Sequence, residues 1–178
     1  MIEYAASLKN IPLISIKLTG FARFGLLEKL DAAADDKNGS RGIINTNILS
    51  DEEKNEFEKV RNRLIKICEV ADKNNIGVLI DAEETWIQDP VDALAMQMME
   101  MYNKNKAIVY NTIQLYRHDR LQFLKNSFEH ASSRQFILAE KLVRGAYMEK
   151  ERQRANEMNY PSPIQPDKQS TDHDYNAE

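Results

Sequence analysis

The sequence has a single cysteine, Cys68, among 178 residues. No intramolecular disulfide can staple the chain, and a reducing compartment is implied. Cys68 falls in the apolar period Val60, Leu64, Ile67, Cys68 with no histidine or metal-ligand partner nearby in sequence, which makes it a small buried helix residue rather than a reactive thiol. Excess basic charge is missing too. The 24 Lys and Arg stand against 28 Asp and Glu, for a formal net charge of −4, which argues against a nucleic-acid partner, since that calls for a basic patch or stripe. The longest apolar runs, Ile11 to Ile16 and Ile76 to Ile80, fall far short of the about 20 residues a membrane span needs. The opening MIEYAASLKN does not read as a secretion signal, lacking a basic start and an apolar middle. There is no GxGxxG or Walker-type loop, no CxxC and no HExxH, so the usual dinucleotide, triphosphate and zinc signatures are absent.

What is present is an ordinary globular composition, 42% hydrophobic and 29% charged, with enough chain for one domain that buries roughly 70% of its unfolded surface. Short β-rich runs alternate with longer amphipathic stretches. The expected strands are Ile11 to Thr19, Ile76 to Asp81, Ala107 to Thr112 and Phe136 to Val143. Their nearly continuous apolar cores suit parallel strands covered on both faces. Between them, Phe57, Val60, Leu64 and Ile67 recur at helical spacing behind Ser50 as N-cap, with Asp51, Glu52 and Glu53 in the first turn. Asp89 and Pro90 are expected to open the next helix, with Leu94, Met98 and Met101 as its buried stripe. A third helix is expected from His118 to about Ala131 with Leu121, Leu124 and Phe128 on one face, and a charged fourth from Met148 to about Glu157.

This alternation implies right-handed βαβ crossovers and an α/β fold with a parallel sheet. Four βα units are too few for a closed eight-stranded barrel of about 250 residues, so the sheet is either open and doubly wound or part of a barrel. Residues 1–160 are expected to form this one domain, partial if the sheet belongs to a barrel, and the polar, proline-containing segment 161–178 reads as a disordered tail unless something docks on it, or as a loop of the complete barrel. The loop from Ala33 to Thr46 also breaks the rhythm.

In parallel α/β folds ligands bind beyond the C-terminal ends of the strands. Every expected strand places polar residues there: Lys17 in the first; Asp81 and Glu83 after the second; Asn111, Thr112 and Gln114 at the third; Lys141, Arg144 and Tyr147 around Gly145 and Ala146 at the fourth. By alternation Lys17 shares a face with Ser15 and Thr19. Pairing with a carboxylate such as Asp81 would satisfy its charge, and an edge-strand lysine turned to water is the alternative. The run Lys141 to Tyr147, KLVRGAY, suits an anionic or electron-accepting planar ring, or else a solvated basic strand end with a turn glycine. His118, His130 and His173 read as surface residues, and Glu83 and Glu84 as carboxylates that could equally be solvated.

The segments DAEETWIQ (Asp81 to Gln88), YNTIQLY (Tyr110 to Tyr116) and KLVRGAYMEKERQRA (Lys141 to Ala155), with the lysine-bearing ISIKLTG (Ile14 to Gly20), together resemble proline dehydrogenase in its eukaryotic-like form. The resemblance implies a distorted (βα)8 barrel with FAD, oxidation of L-proline to Δ1-pyrroline-5-carboxylate and passage of electrons to a membrane quinone. It implies catalytic roles for Lys17, Asp81 and Tyr147, with Lys17 as the ionic neighbour of Asp81 and Tyr147 by the substrate pocket. It places Asp81, Thr112, Gln114, Lys141, Arg144, Gly145 and Ala146 about the flavin, with Gln114 bonded to the ring edge, Lys141 near its reactive nitrogen and Leu142 as a lining residue. No metal is implied. The implied location is cytoplasmic and peripheral to an inner membrane, or mitochondrial in a eukaryote. Only the second to fifth barrel strands have counterparts here, and no paired arginines follow Tyr147, so the chain resembles a segment of that enzyme, expected to be inactive alone. A non-catalytic α/β interaction module is the other reading.

Overall fold

The computed structural model describes residues 2–8, 10–35 and 39–177. Part of the expected 33–46 loop and the last residue of the expected tail lie outside them. Four strands, β1 (Leu13–Ile16), β2 (Gly77–Ile80), β3 (Val109–Gln114) and β4 (Glu140–Val143), form one sheet in the order β1-β2-β3-β4. Every pairing is parallel, with Ile16 opposite Ile80, Leu79 opposite Tyr110 and Gln114 opposite Val143. The strand ends on one side therefore run level, and the polar residues that follow them meet there. The expected α/β fold with four βα units is observed.

Helices α1 (Ile2–Ser7), α2 (Phe24–Asp31), α3 (Asp51–Asn74), α4 (Thr85–Tyr102), α5 (Arg120–Arg134), α6 (Met148–Met158) and α7 (Lys168–Asn176) surround the sheet. Helix α3 begins as read from sequence. The Ser50 hydroxyl accepts from Glu53 N–H, and Glu53 reaches back to Ser50 N–H, which closes a capping box. Helices α3, α5 and α6 end on Asn75, Gln135 and Asn159 in the left-handed region, each at φ 55°, where the backbone N–H can turn back to the last carbonyls. The core joins β2 and β3 to α2, α3 and α4 through Leu26, Leu64, Ile80, Leu94, Met98 and Val109. No helix among the described residues is long and apolar enough to cross a membrane.

Several expectations are corrected. Helix α4 begins at Thr85, four residues before the expected cap, and holds Pro90 inside it. Pro90 has no N–H for the helical ladder, and the N–H of Asp89 bonds instead to Asp31 Oδ2 at 2.9 Å. The sequence offered proline at a helix start, its commonest helical site, but the side chain of Asp31 supplies the partner that lets α4 extend backward. Met101 is 49% exposed and Phe128 64% exposed. Met96 and Met99 join Leu94 and Met98 in full burial instead, because α4 is enclosed on nearly all sides rather than along one stripe. His130 is partly buried, edge-on to the Phe136 ring at 6.0 Å, and burial lowers its pKa.

The segment expected to be disordered is ordered. Gln165 N–H donates to Tyr116 O and His118 N–H to Pro163 O, an antiparallel bridge joins Arg117 to Ile164, and Tyr175 of α7 packs on Ile113, Leu115 and Phe123. Its few apolar residues, too sparse to show a period, dock on the end of β3.

Candidate active site

At the C-terminal ends of the strands an open cavity of about 300 Å³ is lined by Lys17, Asp81, Thr112, Gln114, Lys141, Ala146 and Tyr147, with Ala82, Tyr116 and Val143. Asp81 directly follows β2. Its carboxylate accepts from Lys141 and, at 2.8 Å, from the Ser15 hydroxyl. Partial burial alone would raise its pKa, but the bonds from Lys141 and Ser15 hold it below the usual carboxylate range.

Lys17 is not in a strand. Strand β1 ends at Ile16, and Lys17 opens the 3-10 turn Leu18–Gly20, so the strand alternation that paired it with Thr19 no longer applies. Its ammonium donates to the Tyr147 hydroxyl at 3.0 Å and not to Asp81, which is held by Lys141. That hydrogen bond is the main reason its pKa lies above the usual lysine value. Lys17 remains a charge neighbour of Asp81, each favouring the other's ionised form, and only its hydrogen bond goes elsewhere, to Tyr147, because Lys17 lies just past the end of β1 rather than within it.

Thr112 donates its hydroxyl to Ile80 O at 2.8 Å and is buried. Gln114 closes β3 with its amide engaged within the protein, since Nε2 donates to Glu83 O at 2.7 Å and to the Tyr116 hydroxyl at 2.8 Å while Oε1 accepts from Arg117. One lone pair of Oε1 remains for a ligand. Strand β3 also runs two residues past its expected end, so Asn111, Thr112 and Gln114 belong to the strand itself.

Two expected flavin residues are not brought to the cavity. Arg144 turns outward to Asp172 at 3.2 Å and lies 4.6 Å from the Tyr175 ring centre, both on α7. Gly145 is exposed, and a Cβ there would meet Met148 Sδ at 3.3 Å, so its smallness serves the start of α6. Leu142 packs against the Ile113 cluster on the other side.

Glu83 and Glu84, left open as solvated carboxylates, are both buried. Glu83 accepts from Thr19, and Glu84 pairs with Lys150. Sequence reasoning missed Tyr116, whose buried hydroxyl receives Gln114 Nε2 and the N–H of Tyr147, and Glu151, held against Thr85. It also missed Asp92, which accepts from Gln88 and Asn111 at 2.9 Å each and from Arg120 at 2.6 Å, all in the interior. The signal was available, as Asp92 interrupts the apolar run Val91 to Met96. A larger cavity of about 590 Å³ between α2, α4 and α5 is lined by Asp31, Asp89, Arg117 and Asp119 among others; there Arg117 pairs with Asp119, while Asp31 and Asp89 accept from the backbone N–H groups of Asp89 and Gly39. No cluster of three or more metal-ligating side chains occurs among the described residues.

The strand-end cavity thus sets two ammonium groups, a tyrosine hydroxyl and a carboxylate around one opening. The sequence matches the proline dehydrogenase family over residues 3–178. Proline dehydrogenase 1, mitochondrial, of Drosophila melanogaster is 37% identical over 115 residues, covering 65% of this chain and 17% of that protein. Proline dehydrogenase 2, mitochondrial, of Arabidopsis thaliana is 38% identical over 130 residues, covering 72% of this chain and 27% of that protein. The crystal structure of proline utilization A (PutA) from Bdellovibrio bacteriovorus inactivated by N-propargylglycine superimposes with a TM-score of 0.72 at 17% identity, over 99% of this chain and 18% of that one. The chain spans well under a third of the length of each. Shared sequence along almost the whole chain, on a fold of the same course, makes this chain a member of the proline dehydrogenase family.

Proposed function

We propose that this chain carries one wall of an FAD-dependent site that oxidises L-proline to Δ1-pyrroline-5-carboxylate and passes the electrons to a quinone. The observation that carries the reading is the convergence of the Lys17–Tyr147 and Lys141–Asp81 pairs on one cavity at the strand ends. The residues present fit a flavin ring. Lys141 and Lys17 put positive charge where electrons would arrive, Gln114 Oε1 has a free lone pair for a ring N–H, and Ala82 and Ala146 leave the wall low. When bound, FAD supplies the electron acceptor for oxidation of the proline C–N bond.

Asp81 holds the Lys141 ammonium at the cavity, where it would face the flavin, and Lys17 holds the Tyr147 hydroxyl, which would face the substrate. Thr112 supports the floor through Ile80 O. Arg144 and Gly145 would reach the flavin only if α7 released Arg144. The fully assembled enzyme would lie at an inner membrane, on the cytoplasmic side in a bacterium and in the mitochondrion in a eukaryote; the names of the relatives bear on the mitochondrial location alone.

The test is the visible spectrum of the purified chain after mixing with FAD and desalting, followed by addition of L-proline. The expected result is weak flavin retention, lowered further in Asp81→Ala, with no bleaching by proline. A folded chain that takes up no FAD overturns the flavin reading, and bleaching by proline overturns the expectation that this chain is inactive alone. A second reading, an interaction module without catalysis, draws on the sheet's two edges, β1 and β4, which offer backbone groups to a partner strand. It predicts binding of a partner chain that Asp81→Ala leaves unchanged.

A further inference from the structure

Two carboxylates grip two threonines in the same way. Glu83, 5% exposed, accepts from Thr19 N–H at 3.3 Å and from its hydroxyl at 2.6 Å. Glu151, 1% exposed, accepts from Thr85 N–H at 2.8 Å and from its hydroxyl at 2.7 Å. Thr19 lies in the 3-10 turn after β1, and Thr85 is the first residue of α4 after β2. A first-turn N–H has no partner within its own helix, and here each finds one on a different βα unit. Glu83 comes from the loop after β2 and Glu151 from α6 after β4, so the two grips link the turns after β1, β2 and β4 at the end of the sheet where the cavity lies.

The second grip bears on the cavity through one turn of helix. Tyr147 is the N-cap residue of α6, and Glu151, four residues on, donates its N–H to Tyr147 O at 2.9 Å. Residues at this spacing share a helix face. The cap of α6 has no side-chain hydrogen bond of its own. Three contacts anchor the turn: the Glu151 carboxylate on Thr85, the ion pair of Lys150 with Glu84, which is more exposed on the lysine side, and the weaker 3.4 Å bond from Tyr147 N–H to the Tyr116 hydroxyl. Burying a carboxylate among neutral donors is costly unless both oxygens are well bonded, and here both are.

We infer that Glu151 is a positioning residue of the strand-end site: its two-point grip on Thr85 fixes the first turn of α6, and with it the Tyr147 hydroxyl that holds the Lys17 ammonium. Glu151 does not line the cavity and acts only through Tyr147. The functional meaning rests on the proposed function, while the geometric chain from Thr85 to Lys17 can be tested without a flavin.

The experiment is competitive labelling of lysines in the folded chain with an amine-reactive ester near neutral pH, read residue by residue by mass spectrometry. Loss of its hydroxyl partner makes Lys17 a better nucleophile. Tyr147→Phe should therefore raise its labelling rate roughly threefold or more, the scale of one lost hydrogen bond. Glu151→Ala should raise it comparably, Glu151→Gln by less because one acceptor oxygen remains, and the double variant Glu151→Ala, Tyr147→Phe no further than Tyr147→Phe alone. Lys141, held by Asp81, should keep its rate throughout. Should Glu151→Ala fail to fold, Thr85→Val removes one donor while keeping the N–H and should move Lys17 in the same direction. A folded Glu151→Ala or Thr85→Val chain with Lys17 at the wild-type rate overturns the inference, as does an additive double variant. Failure of the flavin reading would show separately, as a wild-type chain that takes up no FAD while the Lys17 rates follow this pattern.

Discussion

Lys17 and Tyr147, 130 residues apart in sequence, meet with the lysine ammonium 3.0 Å from the tyrosine hydroxyl. The contact ties the residue that follows β1 to the residue that opens α6, and it spans the mouth of the cavity between the two edge strands.

Beside it, Asp81 and Lys141 form a partly exposed ion pair. Such pairs contribute little to stability, about 0–1 kcal/mol, so Asp81→Asn should leave urea unfolding nearly unchanged while flavin retention falls. A loss of stability above about 2 kcal/mol with flavin uptake intact would give the pair a structural role instead.

The interior pair behaves oppositely. Asp92 and Arg120 are buried and bridged at 2.6 Å, and removal of one partner leaves the other charge uncompensated. Asp92→Ala should cost about 3–5 kcal/mol, measured as a shift of the urea midpoint, and Gln88 and Asn111 would lose an acceptor as well.

Asn103 should be almost as sensitive. Fully buried at the end of α4, it donates to Val109 O and Ile137 O and accepts from Ile108 N–H and Val109 N–H, at 2.8 to 3.0 Å. Its one side chain ties the starts of the third and fourth strand segments together. Asn103→Ala should cost about 2–4 kcal/mol by stranding those backbone groups, and amide hydrogen exchange at Ile108 and Val109 should accelerate with it.

Stability should depend on pH through Asp31 and Asp89. Burial pushes their pKa values up to about 6 and about 7. Asp92, Glu151 and the other member of the pair add repulsion, while Arg117 and Arg120 and the N–H groups of Asp89 and Gly39 partly offset it. A raised folded-state value means that the fold favours the protonated carboxyl. The contribution is complete below the unfolded value of 3.8 and is lost as pH rises through about 6 to 7. Asp89→Asn, which still accepts from Gly39 N–H, should therefore be more stable than the wild type at pH 8 by about 1–2 kcal/mol, discounted for partial exposure, and the difference should shrink toward pH 5. Urea midpoints of both proteins at the two pH values check this, and a gap that widens toward acid would contradict it.

The sequence made the sheet legible because β2 is buried on both faces and reads as a continuous apolar run, and because the apolar Ala107 to Tyr110 leads into β3. The capping box at Ser50 was legible because it is local. Lys17 was placed at the right end of the right strand and beside its charge neighbour Asp81, but its hydrogen bond to Tyr147 was not foreseen, since it depends on the exact residue where β1 stops. The start of α4 was hidden by Pro90, whose place inside a helix goes with the bond from Asp89 N–H to Asp31, 58 residues before Asp89. The order of residues 161–177 rests on backbone bonds from Gln165 and to Pro163, which no side-chain pattern announces.

Cys68 sits fully buried in the middle of α3, and burial drives its thiol up to about 12. Almost no thiolate exists while the helix stays docked, so an alkylating reagent must wait for the core to open. With reagent in excess, the rate of modification becomes the rate of opening itself. The chain thus carries a clock for its own unfolding, and two copies can be joined through sulfur only after both have come apart.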